Sequence, residues 1–279
     1  MGFLISIVNN KGGVGKTTVT CNLADALGKR KASVLVVDVD SQCNTTSTLL
    51  PKTLDNQFRE SLYEVFDETA GEPELPQIIY PTNCKNVELI PNVPNTANLE
   101  PDLIANFQNS FNILRKALRG YASRHYDYTL IDCPPNMGTF VMCALYASDF
   151  VIVPVKAGST FSISGLIDAL KLIQDVHTKG NPDLRFLRLL VNSMDRRTAI
   201  SKAVVGKLST LFSSDKIFKT QIPINTAFEK AEAMSQTVFE TEASSHGAKA
   251  YRALAKELMG ITVPSASKKS EPLDIALTG

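Results

Sequence analysis

A glycine-rich segment near the start of the chain has the composition and spacing of a phosphate-binding loop. Residues 11–18 read KGGVGKTT and follow an apolar run at residues 3–9. Glycines let the backbone curl so that several N–H groups converge, and a helix that begins there adds partial positive charge. Lys16 would then reach the β- and γ-phosphates of a nucleotide, and the Thr17 hydroxyl would bind Mg²⁺. The segment therefore predicts a site for a nucleotide with Mg²⁺.

The loop contains one lysine more than phosphate binding requires. The residues predicted to contact the nucleotide are Gly12, Gly13, Val14, Gly15, Lys16, Thr17 and Thr18. The usual pattern has glycine six residues before Lys16, where this chain has Asn10. A second lysine, Lys11, stands directly before the glycines. Because the loop needs only the lysine that follows the glycines, Lys11 needs a separate explanation.

Three aspartates stand at the predicted carboxyl ends of strands. Asp132 ends the apolar run YTLID and is expected to hold Mg²⁺ through water. Asp38 and Asp40 end the run VLVVDVD, and they share a face if the strand continues through both. One of these two is expected to bind the water shell of Mg²⁺ and the other to orient the attacking water. The residues alone do not say which carboxylate takes which role.

The elements that position these residues follow from the hydrophobic pattern. Short β-branched runs alternate with longer helical segments, which is typical of a mostly parallel sheet flanked by helices. Strands are predicted within residues 3–9, 33–40, 87–92, 126–135, 149–155 and 185–194, and helices at 16–30, 60–66, 103–118, 164–177, 200–211 and 247–259. We expect one doubly wound α/β domain over residues 1–260 and a disordered polar tail at 261–279.

Composition excludes several classes of protein. The five cysteines stand singly, with no C-x-x-C spacing, which argues against a zinc or iron–sulfur site and indicates a reducing compartment. No apolar stretch is long enough to span a membrane, and lysines interrupt the first apolar run, so no secretory signal is expected. The formal net charge is +1, so nucleic acid would need a local patch. Residues 179–230 provide one, with ten basic residues against four acidic ones.

Several motifs occur in this sequence in the order and approximate spacing of one protein family. They are KGGVGKTT, VLVVDVDSQCNTT, LIDCPP, VIVPV, NSMDRRT and IPINTAFEKAEA followed by GAKAYRALAKEL. From Phe3 to about Met259 the chain resembles the ParA-type partition ATPases, which belong with MinD to the deviant Walker family of P-loop proteins. This resemblance implies the P-loop fold, ATP and Mg²⁺ as ligands, and hydrolysis of ATP; intrinsic turnover is expected to be slow because no strong general base is evident.

The resemblance also implies a role for Lys11. In this family the extra lysine crosses the interface of a dimer that encloses the nucleotide, and it contacts the phosphates bound by the other subunit. The phosphates are a dense negative charge, and the additional ammonium groups offset it only when the subunits meet. ATP is therefore expected to hold a homodimer together, and hydrolysis is expected to loosen it.

Further site residues follow from the same resemblance. It matches Asp40 to the residue that positions the attacking water, Asp38 to a second carboxylate near Mg²⁺, and Thr17 to the metal ligand. It places Asn192 and the segment at Pro223 beside the adenine. The expected catalytic residues are Lys11, Lys16 and Asp40, and the expected metal-site residues are Thr17, Asp38 and Asp132.

The chain departs from the family pattern in two motifs. Ser41 replaces a proline, which is expected to loosen the loop after Asp40. Ile224 and Ala227 replace two arginines that help some relatives to bind DNA. We expect other basic residues to supply the several phosphate contacts that non-specific DNA binding needs. These candidates are Arg196, Arg197, Lys202, Lys207, Lys216 and Lys219.

The sequence thus predicts a cytoplasmic, nucleoid-associated ATPase that segregates a chromosome, plasmid or other large cargo. It would bind non-specific DNA as an ATP dimer and be released when a ParB-like or other adaptor stimulates hydrolysis. One alternative is a MinD-like ATPase that cycles on membranes, but the tail lacks an amphipathic stripe, so no membrane is expected. Another is a nucleotide-dependent scaffold with little hydrolysis. Because the loop begins almost at residue 1, neither an N-terminal helix-turn-helix region nor operator binding is expected.

Overall fold

The apolar runs form a seven-stranded sheet. The computed structural model describes residues 1–54, 58–67, 69, 71, 73–158 and 162–262. The strands are β1 (Phe3–Ile7), β2 (Val34–Asp38), β3 (Tyr80–Pro81), β4 (Val87–Ile90), β5 (Tyr128–Asp132), β6 (Phe150–Lys156) and β7 (Arg185–Asn192). Their order in the sheet is β3, β4, β2, β5, β1, β6, β7, and among these described strands only β3 runs antiparallel to its neighbour. The prediction of a mostly parallel α/β sheet is confirmed.

Helices cover both faces of this sheet. They are α1 (Lys16–Lys29), α2 (Asn44–Leu49), α3 (Leu62–Phe66), α4 (Glu100–Ala105), α5 (Phe107–Ser110), α6 (Ile113–His125), α7 (Thr139–Ala147), α8 (Ser162–Lys179), α9 (Ala199–Leu211), α10 (Thr226–Ala233), α11 (Val238–Thr241) and α12 (His246–Ile261). Short 3₁₀ turns lie at Lys52–Leu54, Leu75–Gln77, Pro94–Leu99 and Ser214–Lys216. The sequence did not predict β3, α2, α7, α10 or α11.

Alternate residues of each central strand pack into two separate cores. In β2, Leu35 and Val37 face the core formed with α6, α7 and α8, whereas Val34 and Val36 face the core formed with α1 and α12. All five residues of β2 are buried. Because both faces of the sheet are covered, its strands are apolar throughout instead of alternating apolar and polar residues.

The glycine-rich loop lies where the strand order reverses. The chain leaves β1 through this loop and α1 and enters β2. In the strand order β2 lies to one side of β1, whereas β6 pairs with β1 on its other side. Adjacent crossovers diverge at such a point and leave a crevice at the carboxyl ends of the strands, where ligands of open α/β sheets bind. The topology alone therefore favours a ligand site at the end of β1.

The helix predicted as one piece at residues 103–118 is divided into α4, α5 and α6. Asn106 interrupts it with backbone angles of −101° and 35°, and Asn112 separates α5 from α6. The Asn106 side chain accepts a hydrogen bond from the Asn109 amide at 3.3 Å. Asparagine is a weak helix former, because its short polar side chain favours turns and helix ends. The apolar periodicity continues across both breaks, so the sequence pattern predicted a single helix.

The predicted tail at residues 261–279 includes two residues that the structure describes, 261 and 262. Helix α12 ends at Ile261, and the following Thr262 is buried, with its hydroxyl 2.7 Å from the Tyr128 hydroxyl. This hydrogen bond attaches the end of α12 to the first residue of β5. The prediction of a disordered tail otherwise concerns residues 263–279, which lie outside the described residues.

The Tyr251 hydroxyl gives a direct test of the packing between α12 and α1. Tyr251 is fully buried, and within the described residues its hydroxyl has no hydrogen-bond partner. A buried polar group left without a partner destabilises the folded state by about 1–3 kcal/mol. We expect Tyr251→Phe to raise the free energy of unfolding by about 1 kcal/mol, measured by urea unfolding.

The matched control is Tyr128→Phe, which removes a hydroxyl that does have a partner. It should lower the free energy of unfolding by about 1 kcal/mol, because it breaks the buried contact with Thr262. A loss of stability in Tyr251→Phe as large as in the control would contradict the assignment of an unpaired hydroxyl.

Candidate nucleotide site

The loop between β1 and α1 adopts the backbone conformation that its glycines permit. Gly13 and Gly15 have φ values of 70° and 88°, in the left-handed region that other residues avoid. A Cβ atom at Gly15 would also collide with the side-chain amide of Asn192. Helix α1 begins at the next residue, Lys16, so its amino end faces the loop. Gly15 is therefore required both for its backbone angle and for the close approach of β7.

A cavity of about 340 Å³ lies above this loop. The loop and the start of α1 form its floor, and Asp40, α2, Pro135 and α10 form its walls. The lining residues from the first part of the chain are Gly12, Gly13, Gly15, Lys16, Thr17, Thr18, Cys21, Asn22, Asp40, Gln42, Asn44, Ser47 and Thr48. Most of the predicted phosphate-contacting residues therefore meet in one cavity of a size that small ligands occupy.

The two lysines of the loop have different surroundings. Lys16 lines the cavity with 7% of its surface exposed, and its ammonium group donates to the Lys11 carbonyl at 3.3 Å. Burial lowers the pKa of Lys16, whereas the nearby Asp132 carboxylate favours its charged form. Lys11 is half-buried and is not among the residues that line the cavity. Lys11 is therefore placed beside the cavity while Lys16 is inside it.

Asparagines hold the start of the loop against β6 and α8. The Asn9 amide donates to the Pro154 carbonyl at 2.7 Å, and its oxygen accepts from the Lys11 backbone N–H at 3.0 Å. Asn10, which stands at the usual glycine position, donates to Asp168 of α8 at 3.3 Å. These contacts fix the backbone of Lys11 relative to the rigid sheet.

Asp132 lies at the end of β5 beneath the loop. The hydroxyls of Thr17 and Thr45 each donate to its Oδ2 atom at 2.7 Å, and the Thr20 hydroxyl donates to Oδ1 at 3.1 Å. Burial raises the pKa of Asp132 to about 6, although these hydroxyls favour the charged form. The predicted metal residues Thr17 and Asp132 are thus in direct contact, with oxygen atoms of the kind that Mg²⁺ binds.

Asp38 and Asp40 do not share a strand face, because β2 ends at Asp38. Asp38 is fully buried, and its Oδ2 atom accepts from the Thr46 backbone N–H at 2.8 Å and from the Thr46 hydroxyl at 2.7 Å. Burial, with a smaller effect of Asp132, raises the pKa of Asp38 to about 8. Asp40 is 9% exposed and lines the cavity. The geometry therefore separates two carboxylates that the strand pattern alone did not distinguish.

The turn after Asp40 is closed by hydrogen bonds. The Cys43 N–H donates to the Asp40 carbonyl at 2.9 Å, and the Gln42 N–H donates to the Asp40 carboxylate at 3.0 Å. Cys43 has a φ of 55°, and its thiol donates to the Ser41 carbonyl at 3.3 Å. The expectation that Ser41 loosens this turn stays a prediction. All five cysteines of the chain are unpaired and buried.

The two predicted adenine contacts lie outside the cavity lining. The Asn192 amide donates to the Val14 carbonyl at 2.7 Å, and its oxygen accepts from the Ser193 N–H at 2.9 Å. Pro223 pairs with Met194 and lines a different groove. Asn192 therefore supports the loop, and contact of either residue with adenine stays a prediction.

The far wall of the cavity comes from residues that sequence reasoning did not assign. Phe228, Ala231 and Glu232 of α10 line it, followed by Ser235 and Gln236. Phe228, Ala231 and Glu232 are spaced at i, i+3 and i+4, which places them along one face of α10. That spacing was the available signal, but it does not reveal which face of α10 meets a ligand.

A second, basic groove of about 950 Å³ lies away from the loop. Of the six predicted DNA-binding residues, Arg196, Arg197 and Lys219 line it. Lys202 and Lys207 are exposed on α9, and Lys216 is half-buried in a 3₁₀ turn, so these three are not brought into the groove. The other groove residues are Met194, Asp195, Thr220, Gln221, Pro223, Ile224, His246, Lys249, Ala250 and Ala253.

The chemistry of this groove suits an anion. Arg197 forms two hydrogen bonds of 3.0 Å with Asp195, and these bonds lower the pKa of Asp195 to about 2. Arg196 is exposed and projects from the same segment. The sequence analysis missed Lys249 and His246, which reach the groove from α12. Only the folding of α12 beside the Arg196 segment brings Lys249 into one groove with Arg196 and Arg197.

The fold and the loop define a P-loop nucleotide-binding α/β protein. A family model described as an AAA domain matches residues 2–186. The sporulation initiation inhibitor protein Soj of Bacillus subtilis (strain 168) is 34% identical over 258 residues, which cover 92% of this chain and 98% of that protein. The chromosome partitioning protein ParA of Myxococcus xanthus (strain DK1622) is 30% identical over 96% of this chain and 92% of its own length. The chain belongs to the ParA-type family of partition ATPases.

A solved structure supports the same fold. The crystal structure of cobyrinic acid a,c-diamide synthase from Mycobacterium smegmatis, with bound ADP and magnesium, has a TM-score of 0.77 and 28% sequence identity. The likeness covers 93% of this chain and 94% of that one. Separately, none of the helices in the described part of this chain has the length and apolar character needed to cross a membrane.

Proposed function

We propose that this chain is a partition or positioning ATPase that dimerises around ATP, binds DNA non-specifically in that state, and is released by hydrolysis. The observation that carries this proposal is the placement of the two loop lysines, Lys16 inside the nucleotide cavity and Lys11 beside it. A lysine that is fixed next to the cavity is positioned to act on a nucleotide held by another subunit. Segregation of a chromosome, plasmid or other large cargo would follow from this cycle.

ATP and Mg²⁺ are the ligands of the cavity. The glycine loop, the buried Lys16 and the amino end of α1 provide the positive environment that phosphates require. Thr17 and Asp132 would hold the metal, and Asp38 would act through its water shell. A related structure contains ADP and magnesium. When bound, Mg²⁺ would neutralise part of the phosphate charge.

Hydrolysis would depend on positioning and charge rather than on a covalent intermediate. Lys16 and the loop N–H groups stabilise the charge that develops on the transferred phosphoryl group. Asp40 orients the attacking water from the cavity wall. Lys11 of the partner subunit would complete the positive shell only in the dimer. The described lining of the cavity includes the carboxylates of Asp40 and Glu232 but no histidine, and intrinsic turnover is expected to be slow.

The basic groove is the proposed DNA-binding surface. Arg196, Arg197, Lys219 and Lys249 line it, and phosphate contacts by such residues give affinity without reading sequence. The exposed Lys202 and Lys207 stay candidates on α9. This binding would account for the proposed nucleoid association of a protein whose formal net charge is only +1.

We expect Arg196→Ala with Arg197→Ala to weaken DNA binding uniformly across sequences and to leave ATP affinity unchanged. Loss of two phosphate contacts should make the negative slope of log K against log salt shallower by about 1.8. The matched control is Lys116→Ala with Lys171→Ala, which removes the same charge from exposed positions outside the groove. Titrations with random duplex DNA at several salt concentrations measure both slopes. Equal effects of the two pairs would contradict a binding site confined to the groove.

An adaptor protein is the proposed trigger of hydrolysis, with a ParB-like protein as the first candidate. The acidic stretch from residue 55 to residue 102, part of which lies outside the described residues, is the proposed surface for a basic segment of that partner. Phosphate release measured with DNA and adaptor present separates this function from a scaffold that hardly hydrolyses ATP. Binding to anionic liposomes tests the MinD-like alternative, and the proposal predicts none.

A further inference from the structure

One aromatic ring lies between the nucleotide cavity and the basic groove. Phe228 of α10 lines the cavity, and its ring packs edge-on against Tyr251 of α12, with centroids 5.7 Å apart. The same ring rests on Gly247, where an added Cβ atom would lie 2.6 Å from the tip of the ring. There is consequently no room for the ring to move toward α12 without moving the helix.

The opposite side of this part of α12 belongs to the basic groove. His246 and Lys249, on either side of Gly247 in sequence, both line the groove. The first turn of α12 therefore contacts Phe228 on one side and supplies a positive charge to the groove on the other. A shift of this turn changes the distance of Lys249 from Arg196 and Arg197.

The segment that follows α10, at the start of α11, is hydrogen-bonded to α1, the helix that follows the phosphate loop. The Asn22 amide donates to the Thr18 carbonyl at 2.7 Å, and its oxygen accepts from the Val238 N–H at 2.8 Å. One turn further along α1, the fully buried Asp25 accepts from the Thr237 hydroxyl at 2.6 Å. The segment that follows α10 is thus attached to α1 at two points. A change at the loop would be transmitted to the wall that contains Phe228.

We infer that Phe228 is a positioning residue that couples occupancy of the nucleotide cavity to the affinity of the basic groove for a phosphate polyanion. A nucleotide that fills the cavity contacts the wall formed by α10. Any displacement of this wall moves the Phe228 ring, and the ring in turn displaces the first turn of α12. The inference rests on the proposed function, because it assumes that both sites bind their ligands. It goes further by naming the residue through which the two sites communicate.

The test compares Phe228→Leu with the natural protein. Duplex DNA affinity is measured without nucleotide and with saturating ATP and Mg²⁺, the saturating concentration being determined for each variant, and sedimentation follows dimer formation in parallel. In the natural protein ATP should raise DNA affinity by about 5- to 150-fold, the usual range for coupled sites. In Phe228→Leu the ATP dimer should still form, but ATP should change DNA affinity by no more than about twofold.

The control is Phe58→Leu, which trims a partly buried ring that packs against Tyr80, away from both sites. It should keep the full gain. Linkage requires DNA to raise ATP affinity by the same factor in each protein, which gives an independent measurement of the coupling. A full gain in Phe228→Leu would overturn the inference and leave the proposed function intact. Absence of any gain in the natural protein would overturn both.

Discussion

Replacing Asp40 by alanine is expected to lower the rate of ATP hydrolysis by about 10²–10⁴-fold, the usual contribution of a group that orients and activates a reacting water. Asp40 is the aspartate that lines the nucleotide cavity, whereas Asp38 and Asp132 are fully buried and engaged by threonine hydroxyls. Lys16, Thr17 and Lys11 are untouched by the change, so ATP binding and dimer formation should persist. The variant would therefore accumulate as an ATP-bound dimer.

Phosphate release under DNA and adaptor stimulation measures this effect, and sedimentation with ATP shows whether the dimer persists. The matched control is Asp175→Ala, which removes an exposed carboxylate of α8 that is paired with Lys179. The control should hydrolyse ATP at the natural rate. If Asp40→Ala retained most of its turnover, the attacking water would have to be positioned by another group.

Replacing Lys11 by alanine is expected to lower stimulated hydrolysis by about 10³–10⁵-fold, the effect of a positive group supplied in trans to a phosphoryl-transfer site. The side chain lies beside its own cavity, and Asn9 and Asn10 hold its backbone against β6 and α8. Lys16 stays inside the cavity, so each monomer should still bind ATP. The loss would therefore concern dimer formation and catalysis rather than nucleotide affinity.

The control for Lys11→Ala is the loss of an exposed lysine outside the loop. Lys171→Ala takes away one exposed positive charge from α8 and should leave hydrolysis and dimer formation unchanged. Mixing Lys11→Ala with Asp40→Ala gives a sharper test, because in a mixed dimer one site combines an intact Asp40 with Lys11 from the other subunit. Partial recovery of turnover in the mixture is expected if Lys11 acts across the interface. No recovery would indicate that each lysine acts within its own subunit.

The candidate nucleotide site could be located from the sequence because most of its residues are close together in the chain. The loop, the strand before it and the helix after it occupy fewer than 30 consecutive residues, and glycine, lysine and threonine have specific roles there. Asp132 could be found because an apolar strand that ends in a carboxylate is unusual. Parallel strands then bring their carboxyl ends to the same edge, which places Asp132 beneath Thr17.

Features that depend on packing between distant elements were not visible in the sequence. The periodicity of α10 does not tell which side contacts the nucleotide cavity, so Phe228 was missed. Lys249 lies more than 50 residues from Arg196, and only the position of α12 brings them into one groove. Strand β2 ends at Asp38, and the carboxylate of Asp38 accepts a hydrogen bond from Thr46 of another element, α2. No local pattern encodes these three outcomes.

The central claim is that ATP joins two subunits through Lys11, and sedimentation of the natural protein and Lys11→Ala tests it most directly. Each protein is run with ADP and with ATP plus Mg²⁺, and each resulting species is then titrated with DNA. The account predicts that only the natural protein with ATP forms a dimer and gains DNA affinity. A Lys11→Ala protein that dimerises equally well with ATP would contradict the cross-subunit role of Lys11, even if the nucleotide site itself were intact.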